Sequence, residues 1–273
     1  MTTSRLRLLM AAMVAVAAVF AFSALAAGMA SAKEPNWFVC ETGTPQDPEC
    51  PTGEREKELV SPATRAFTSE NEPGTFKKLK GTVAGVKIDI ECATEVDEGT
   101  IIGGTPGKPG TPGKDEVTTR FTKCEVVEHP GCKVAEPIAL ESLSTLAWKA
   151  ATGQAAVEIF KPKTGTTFVT ITFGSGCGGL AGLKFEVTGE VIAEVLPVAK
   201  KEAVGTLVFP GTPILKYWTG DTALENCTGT GRTEHTIAGL KFGVEKATFT
   251  DRDLVRLVSG KKFGVFANER KCN

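Results

Sequence analysis

The sequence predicts an all-β protein, either an antiparallel β-sandwich or an open barrel, held by disulfides and with at most one or two short helices after a signal peptide. From residue 76 onward, short runs rich in Val, Ile, Phe and Thr alternate with polar residues. Glycines interrupt these runs at intervals of roughly 8 to 12 residues, as turns between short strands do. The chain also has 8 cysteines, an even number that favours a disulfide framework.

Residues 1–32 are typical of a secretory signal peptide. Arg5 and Arg7 precede an apolar run from Leu8 to Ala27, and Ala30-Ser31-Ala32 has the small-x-small form of a cleavage site. An earlier cut after Ala26 or Ala27 is an alternative. An uncleaved anchor is another, because about 20 apolar residues can span a bilayer. Alanine dominates the run, which favours cleavage, and we expect no membrane span after it.

Two regions follow the signal peptide. Residues 33–75 are rich in Pro, Glu and Thr with few large apolar residues, and we expect an irregular N-terminal arm there. Residues 76–273 form the predicted β domain. Within it, residues 103–114 carry three Gly-x-Pro triplets. Collagen needs far longer arrays, so an exposed loop joining two strands is the favoured interpretation.

Several strands can be placed directly. Residues 166–173 and 185–195 alternate apolar and polar residues with period two. The motif Ala84–Ile88 recurs at Ala181–Phe185 and at Ala238–Phe242, each copy predicting a glycine turn that begins a strand with one buried face. The unequal spacings argue against a solenoid. Convergent hairpin chemistry is favoured over an ancient duplication.

Two segments fit either a strand or a short helix. Residues 138–149 place leucines at helical spacing, but serines and a threonine in the same stretch disfavour a helix. Residues 251–258 combine four apolar residues with four charged ones and fit either a strand or a short helix equally well.

The number and positions of the cysteines are consistent with export. All lie after residue 32, and disulfides are favoured over thiols or zinc because no C-x-x-C pair occurs. Sequence alone leaves the pairing open. Proximity favours Cys40 with Cys50 across a Pro-rich loop and Cys124 with Cys132 across a His-Pro-Gly turn, leaving two distant pairs. These are Cys227 with Cys272 and Cys92 with Cys177.

Composition and motifs exclude several functions. A net charge of −1 offers no basic footprint for nucleic acid. A G-x-G-x-x-G motif occurs at residues 174–179, but a strand pattern follows it where a dinucleotide site needs a helix, so a glycine-rich hairpin with a bridged Cys177 is favoured. His129 beside a turn and His235 in a polar strand are expected to be exposed residues and not catalytic bases. We therefore predict no catalytic residue, no metal site and no cofactor.

Four stretches of the sequence are similar to segments of other proteins: Val86–Cys92, the Cys124 and Cys132 pair, Lys161–Phe168 and Thr188–Val195. Together they resemble a group of uncharacterised exported bacterial proteins that are cysteine-containing and β-rich. The resemblance covers residues 81–208, and this chain departs from it in the Gly-x-Pro insertion and the additional N-terminal cysteines. It implies export and a β fold and adds no catalytic residue.

These observations predict a secreted or envelope-associated, extracytoplasmic protein. We expect a non-enzymatic binding or structural domain that acts through its surface on an extracellular or cell-envelope partner. The alternative is a secreted hydrolase that uses two of the 32 acidic residues, since the separation such a pair needs is spatial. A cleft with two facing carboxyls, one of them desolvated, would favour the hydrolase.

Overall fold

The computed structural model describes residues 34–105, 111–153, 155–220 and 232–266. The predicted signal peptide lies outside these ranges. Eighteen strands are present, in chain order: β1 (Asn36–Thr42), β2 (Glu54–Glu58), β3 (Thr64–Asn71), β4 (Lys77–Val83), β5 (Val86–Ile102), β6 (Lys114–Val126), β7 (Ile138–Trp148), β8 (Ala156–Pro162), β9 (Thr167–Thr172), β10 (Lys184–Thr188), β11 (Val191–Leu196), β12 (Gly205–Phe209), β13 (Lys216–Thr219), β14 (Thr233–Thr236), β15 (Lys241–Phe242), β16 (Glu245–Lys246), β17 (Thr248–Leu257) and β18 (Phe263–Phe266). The all-β prediction is confirmed.

The largest sheet closes into an eight-strand antiparallel barrel. β5, β6, β7 and β8 pair in sequence, β11 and β12 follow β8, and β17 returns to the beginning by pairing with β3 and β4. β3 and β4 act as one interrupted strand, because each pairs with β5 on one side and with β17 on the other. Every strand of the ring therefore has a hydrogen-bonded neighbour on both sides, which leaves no open sheet edge in it.

The predicted irregular arm is wrong for most of its length. Residues 36–71 contain β1, β2 and β3, and β3 belongs to the barrel. β1 lies between β2 and β18 in a separate three-stranded sheet. Phe38, Val39 and Cys40 of β1 are fully covered, so its short apolar run is core and was too short to stand out in a Pro- and Glu-rich region.

Two further elements attach to the barrel. β9, β10, β15 and β16 form a four-stranded sheet. The β13–β14 hairpin joins β7 where Trp218 pairs with Trp148. Within the described ranges, the structure contains no helix with the length and hydropathy that crossing a bilayer requires.

Both ambiguous segments are strands. Residues 138–148 form β7, in which Ser142, Ser144 and Leu146 alternate with more exposed residues. Residues 248–257 form β17, where every second residue from Asp251 to Leu257 is buried. In the part of the chain that the structure describes, the one helical element is a single 3₁₀ turn at Gly178–Leu180.

The three repeated motifs behave as turns, as predicted. Gly85, Gly182 and Gly239 have φ angles of 80°, 78° and 80°, in the region where glycine alone is unstrained. A strand begins just after each turn. The expected buried face is incomplete, because Leu183 is exposed and Val244 is 88% exposed after a second turn at Gly243.

The Gly-x-Pro segment joins β5 to β6, as predicted, and its described residues are exposed only in part: Thr105 and Thr111 are exposed, whereas the glycines next to the strands are not. Gly103, Gly104 and Gly113 are buried. A Cβ added to Gly103 would lie 2.2 Å from the Leu59 carbonyl oxygen, so close backbone packing requires glycine there. Residues 106–110 lie outside the described residues.

Three disulfides lie in the described chain. Cys40–Cys50 is confirmed. The Cys124–Cys132 and Cys92–Cys177 pairings are wrong: Cys92 bonds to Cys124, and Cys132 bonds to Cys177. Cys92 and Cys124 are direct neighbours across β5 and β6, which proximity along the chain could not show. Cys227 and Cys272 lie outside the described residues. Three disulfides fit an extracytoplasmic protein.

The core has two main apolar clusters with polar residues between them. The first contains Ile88, Ile90 and both disulfides of the β5–β6 region. The second contains Phe67, Ile101 and residues of the β1 sheet. Along β5, Glu95 and Asp97 lie between Ile90 of the first cluster and Ile101 of the second. The barrel interior is therefore apolar at both ends and acidic in between.

Candidate functional site

The residues singled out by motif lie away from a shared site. His129 is exposed in the turn after β6. His235 lies on β14, where its Nε2 is 2.7 Å from the Thr219 hydroxyl and its ring stacks on Tyr217. The glycine-rich segment 174–179 leads through the 3₁₀ turn into β10, and its Cys177 is bridged. This confirms the glycine-rich hairpin.

The barrel interior holds an ionic group that we call the Lys77 cluster: Lys77, Glu95, Asp97, Asp251 and Asp253. All five side chains are buried. Lys77 Nζ is 2.6 Å from Glu95 Oε2 and also contacts one carboxylate oxygen each of Asp251 and Asp253. Ser69 donates a hydrogen bond to Asp97. One lysine therefore contacts three carboxyls, and a fourth lies beside them.

Three strands bring this cluster together. Lys77 begins β4, and the register that pairs Lys78 with Thr250 places Lys77 beside Asp251 of β17. Asp253 is two residues further along, on the same face of β17. Glu95 comes from β5, the other neighbour of β4. Residues far apart in sequence thus become cross-strand neighbours.

Burial dominates the electrostatics of the cluster. Desolvation raises the pKa of Glu95 well above its ordinary value, and the nearby Asp97 and Asp253 charges raise it further. Desolvation, helped by the charge of Asp253, raises the pKa of Asp97 to about 6. It also raises the pKa of Asp253, against the opposing effect of Lys77. Burial therefore favours the protonated acid of Glu95, because the opposing charge of Lys77 compensates only part of the cost of desolvation.

The same carboxyls have the spacing of a cation site. One oxygen each of Glu95, Asp251 and Asp253 lies within 4.8 Å of the others. The ammonium group of Lys77 contacts all three. Lys77 therefore occupies the position that a bound cation would take among these carboxyls.

A second pair of acids lies in the same interior. Asp115 of β6 and Glu158 of β8 are buried, and both approach Ser144 of β7. Desolvation, followed by the charge of Asp115, raises the pKa of Glu158 well above its ordinary value. Desolvation also raises the pKa of Asp115, while a hydrogen bond from Glu158 lowers it. Burial therefore favours the protonated acid at both positions, and more strongly at Glu158.

A cavity of about 120 Å³ joins these groups. Its wall is largely aromatic and aliphatic, with Phe67, Val117, Phe121 and Leu140 among the lining residues. The polar groups that line it are Lys77, Glu95, Asp97, Asp115, Thr119, Ser142 and Asp253. Asp97 Oδ1 and Asp115 Oδ1 are buried and have no hydrogen-bond partner among the described residues. The cavity therefore combines a largely apolar wall with carboxylate oxygens that can accept hydrogen bonds.

Sequence reasoning missed this site because the alternation changes phase. Ile88, Ile90 and Cys92 are buried on β5, and continuing that pattern would place Glu95 on the solvent side with Glu91. Instead Val96 is 49% exposed and Glu95 is buried. The paired strand β6 changes phase at Lys123, which has a φ of 56°. The sequence of β17 did indicate burial of two of these acids. Asp251 and Asp253 lie at alternate positions in phase with Val255 and Leu257, so all four side chains lie on the same face of the strand.

Replacing Asp97 with asparagine is expected to remove part of the pH dependence of stability. The pKa of Asp97 is raised from 3.8 to about 6 in the folded protein, so the folded state keeps a proton that the unfolded chain has lost between these pH values. Asp97 therefore contributes a fall in the free energy of unfolding of about 3 kcal/mol as the pH rises through this range.

Urea unfolding of wild type and Asp97→Asn at pH 4 and pH 7 measures this effect. The variant is expected to gain about 2.4 kcal/mol relative to wild type between the two pH values, because part of the change lies below pH 4. Glu98→Gln, at an exposed neighbouring position, is the control and should show no such gain. A difference between Asp97→Asn and wild type that is equal at both pH values would contradict the buried, protonated state.

Comparison with known proteins finds no matching family model, no matching curated protein and no matching solved structure. The resemblance to exported, β-rich bacterial proteins stays a prediction.

Proposed function

We propose that this protein is a non-enzymatic, extracytoplasmic binding domain that holds a compact apolar molecule bearing a cationic or hydrogen-bond-donating group inside its barrel. The observation that carries the proposal is the cavity with unpartnered acceptor oxygens of Asp97 and Asp115 on an otherwise apolar wall. The proposal keeps the binding role predicted from sequence and places it in the interior of the barrel instead of on its surface.

Size limits the ligand. The cavity of about 120 Å³ is slightly smaller than an engineered apolar cavity of about 150 Å³ that binds benzene. Eight strands give a barrel interior that side chains nearly fill or that holds one small ligand. A single compact ring is therefore the largest occupant that the cavity takes without rearrangement.

The buried acceptor oxygens in the cavity wall favour a ligand that donates hydrogen bonds. A buried acceptor without a donor costs roughly 1–3 kcal/mol, so a ligand that donates to Asp97 or Asp115 recovers free energy that an acceptor-only ligand does not. Asp97 becomes a carboxylate above a pH of about 6, which further favours a cation over a neutral molecule. We therefore expect a small cyclic or branched amine.

Export is the second part of the proposal. Residues 1–32 have the pattern of a secretory signal peptide. The three disulfides fit an oxidising compartment. The ligand would then come from outside the cytoplasm.

Piperidine is a suitable probe, because its ring has the size of benzene and its ammonium group donates. Tetrahydropyran is the matched control, since its ring oxygen only accepts. Isothermal titration calorimetry at pH 7.5 is expected to show piperidine binding at least about tenfold more tightly, equivalent to about 1.4 kcal/mol. Binding should weaken as the pH falls below 6, because Asp97 becomes neutral.

Two variants complete this test. Val117→Phe fills the cavity and is expected to abolish binding of piperidine. Asp97→Asn should reduce the preference for piperidine and flatten its pH dependence. Equal affinity for the two probes, or piperidine binding that survives Val117→Phe, would contradict the proposal. Circular dichroism confirms that each variant remains folded.

A second candidate is the secreted hydrolase that uses two carboxyl groups. The observation that favours it is the presence of Glu95 and Asp97 on one strand of the cavity wall, both with a raised pKa. A screen of chromogenic glycosides and esters distinguishes the two. Turnover that is lost in both Glu95→Gln and Asp97→Asn would place the hydrolase first. The binding proposal predicts turnover at the level of buffer alone.

A further inference from the structure

We propose that Lys77 and Asp251 condense to an intramolecular isopeptide bond that links β4 to β17 across the barrel interior. Lys77 Nζ contacts Asp251 Oδ1, and both side chains are 1% exposed. The two residues are neighbours across the β4–β17 ladder, because Lys78 pairs with Thr250. The amine and the carboxyl are therefore held together by the backbone register and are shielded from water.

Asp251 is the electrophile that the contacts favour. Its Oδ2 is buried and has no hydrogen-bond partner among the described residues, so the charge on this carboxylate is poorly compensated, and conversion to a neutral amide removes that cost. Asp253 also contacts Lys77, but a hydrogen bond from Glu95 engages its carboxylate. Glu95 Oε2 lies 2.6 Å from Lys77 Nζ, within reach for proton transfer at the reacting nitrogen.

The reaction needs no other reagent. Asp253 accepts a proton from the Lys77 ammonium group, and Glu95 donates its proton to the Asp251 carboxylate. The lone pair of Nζ then attacks Asp251 Cγ and forms the C–N bond. As the C–O bond breaks, the nitrogen returns a proton to Glu95, and Asp253 gives its proton to the departing oxygen. The ammonium and the carboxylate become one amide and one water, with Glu95 and Asp253 restored.

Two physical effects favour the amide over the ion pair at this position. Burial takes both charges out of water, which costs the ion pair free energy that a neutral amide does not lose. The fixed contact between the two groups also replaces a bimolecular encounter, and such positioning corresponds to effective concentrations of about 10⁵ M or more. Lys80 of β4 and Asp89 of β5 form a contrasting pair: their nitrogen and oxygen are 2.6 Å apart, but Lys80 is 52% exposed, so the ion pair is expected to persist.

Peptide mapping of the full chain tests the proposal. The protein is produced under oxidising conditions, reduced, alkylated, digested and analysed by tandem mass spectrometry. The expected result is a branched peptide that joins the Lys77 and Asp251 segments, with the summed mass of both less one water. Linear Lys77 peptides, or a branch to Asp253 or Glu95, would overturn the assignment. Loss of water from an unbranched Asp251 peptide would indicate a succinimide and would also overturn it.

Three variants separate the chemistry from folding. Lys77→Arg keeps the charge but is expected to abolish the branch, whereas Lys80→Arg should leave it complete. Glu95→Gln should slow its formation by about 100-fold or more, as expected for loss of a general acid–base group. A complete branch in Glu95→Gln would refute the role of Glu95. Circular dichroism identifies any variant that fails to fold, and the wild-type peptide map decides the bond in every case.

Discussion

Replacing Lys77 with methionine is expected to lower the free energy of unfolding by at least 3–5 kcal/mol at pH 7, the approximate cost of breaking a buried ion pair from one side. Methionine fills a similar volume but leaves Glu95, Asp251 and Asp253 without their cation. The loss is expected to shrink at pH 4, because the raised pKa values of Glu95 and Asp253 favour their uncharged acids, which need no cation. In protein that carries the isopeptide bond, the amide replaces this ion pair, and the loss then measures the missing cross-link.

Urea denaturation of wild type, Lys77→Met and Lys80→Met at pH 4 and pH 7 measures the effect. Lys80 is a matched control, since it is an exposed lysine on the same strand and pairs with Asp89. Asp89 is buried, but Lys80 is 52% exposed and its charge stays in water, so Lys80→Met should cost much less than Lys77→Met. A similar loss in both variants, or a loss in Lys77→Met that grows toward pH 4, would contradict the assigned electrostatics.

Removal of the Cys132–Cys177 disulfide by double alanine replacement is expected to cost about 4 kcal/mol. This disulfide links residues 45 positions apart, and the cost follows from the loop-closure entropy that the unfolded chain regains. It also joins the turn after β6 to the segment that precedes β10, so two parts of the first apolar cluster lose their covalent connection.

The Cys40–Cys50 disulfide closes a shorter loop and serves as the control for the stability loss on removal of Cys132–Cys177. Its separation of 10 residues predicts a smaller loss of about 2.7 kcal/mol in the chain-entropy model. Both double variants and wild type are unfolded in urea under non-reducing conditions, and the midpoints and slopes are compared. A larger loss for Cys40–Cys50 than for Cys132–Cys177 would show that loop closure does not set the order.

The local features of the fold could be predicted from the sequence. The alternation at residues 166–173 predicted β9 because a strand exposes successive side chains to opposite faces. Gly85, Gly182 and Gly239 marked turns because their backbone conformation favours glycine. Cys40 and Cys50 were matched correctly because the loop between them is short. Each of these inferences depends on residues that are close along the chain.

The candidate site could not be predicted in the same way. Cys124 bonds to Cys92 and not to the nearby Cys132, because β5 and β6 bring the first two face to face. The change of phase between Cys92 and Glu95 moves an acid from the expected solvent side into the core. The alternation of apolar and polar residues along β5 cannot reveal where the buried face switches, because the switch depends on how β5 pairs with the neighbouring strand.

By itself, the sequence determined the β class, the positions of several turns and one short disulfide, since these depend on backbone preferences and contacts between near neighbours. Only the tertiary structure decided which acids share the barrel interior. β4, β5 and β17 become adjacent through long-range pairing, and that pairing brings Lys77 to Glu95 and Asp251. The physical reason is that ring closure excludes water from groups whose own segments look like ordinary charged strands, and their chemistry changes with that burial.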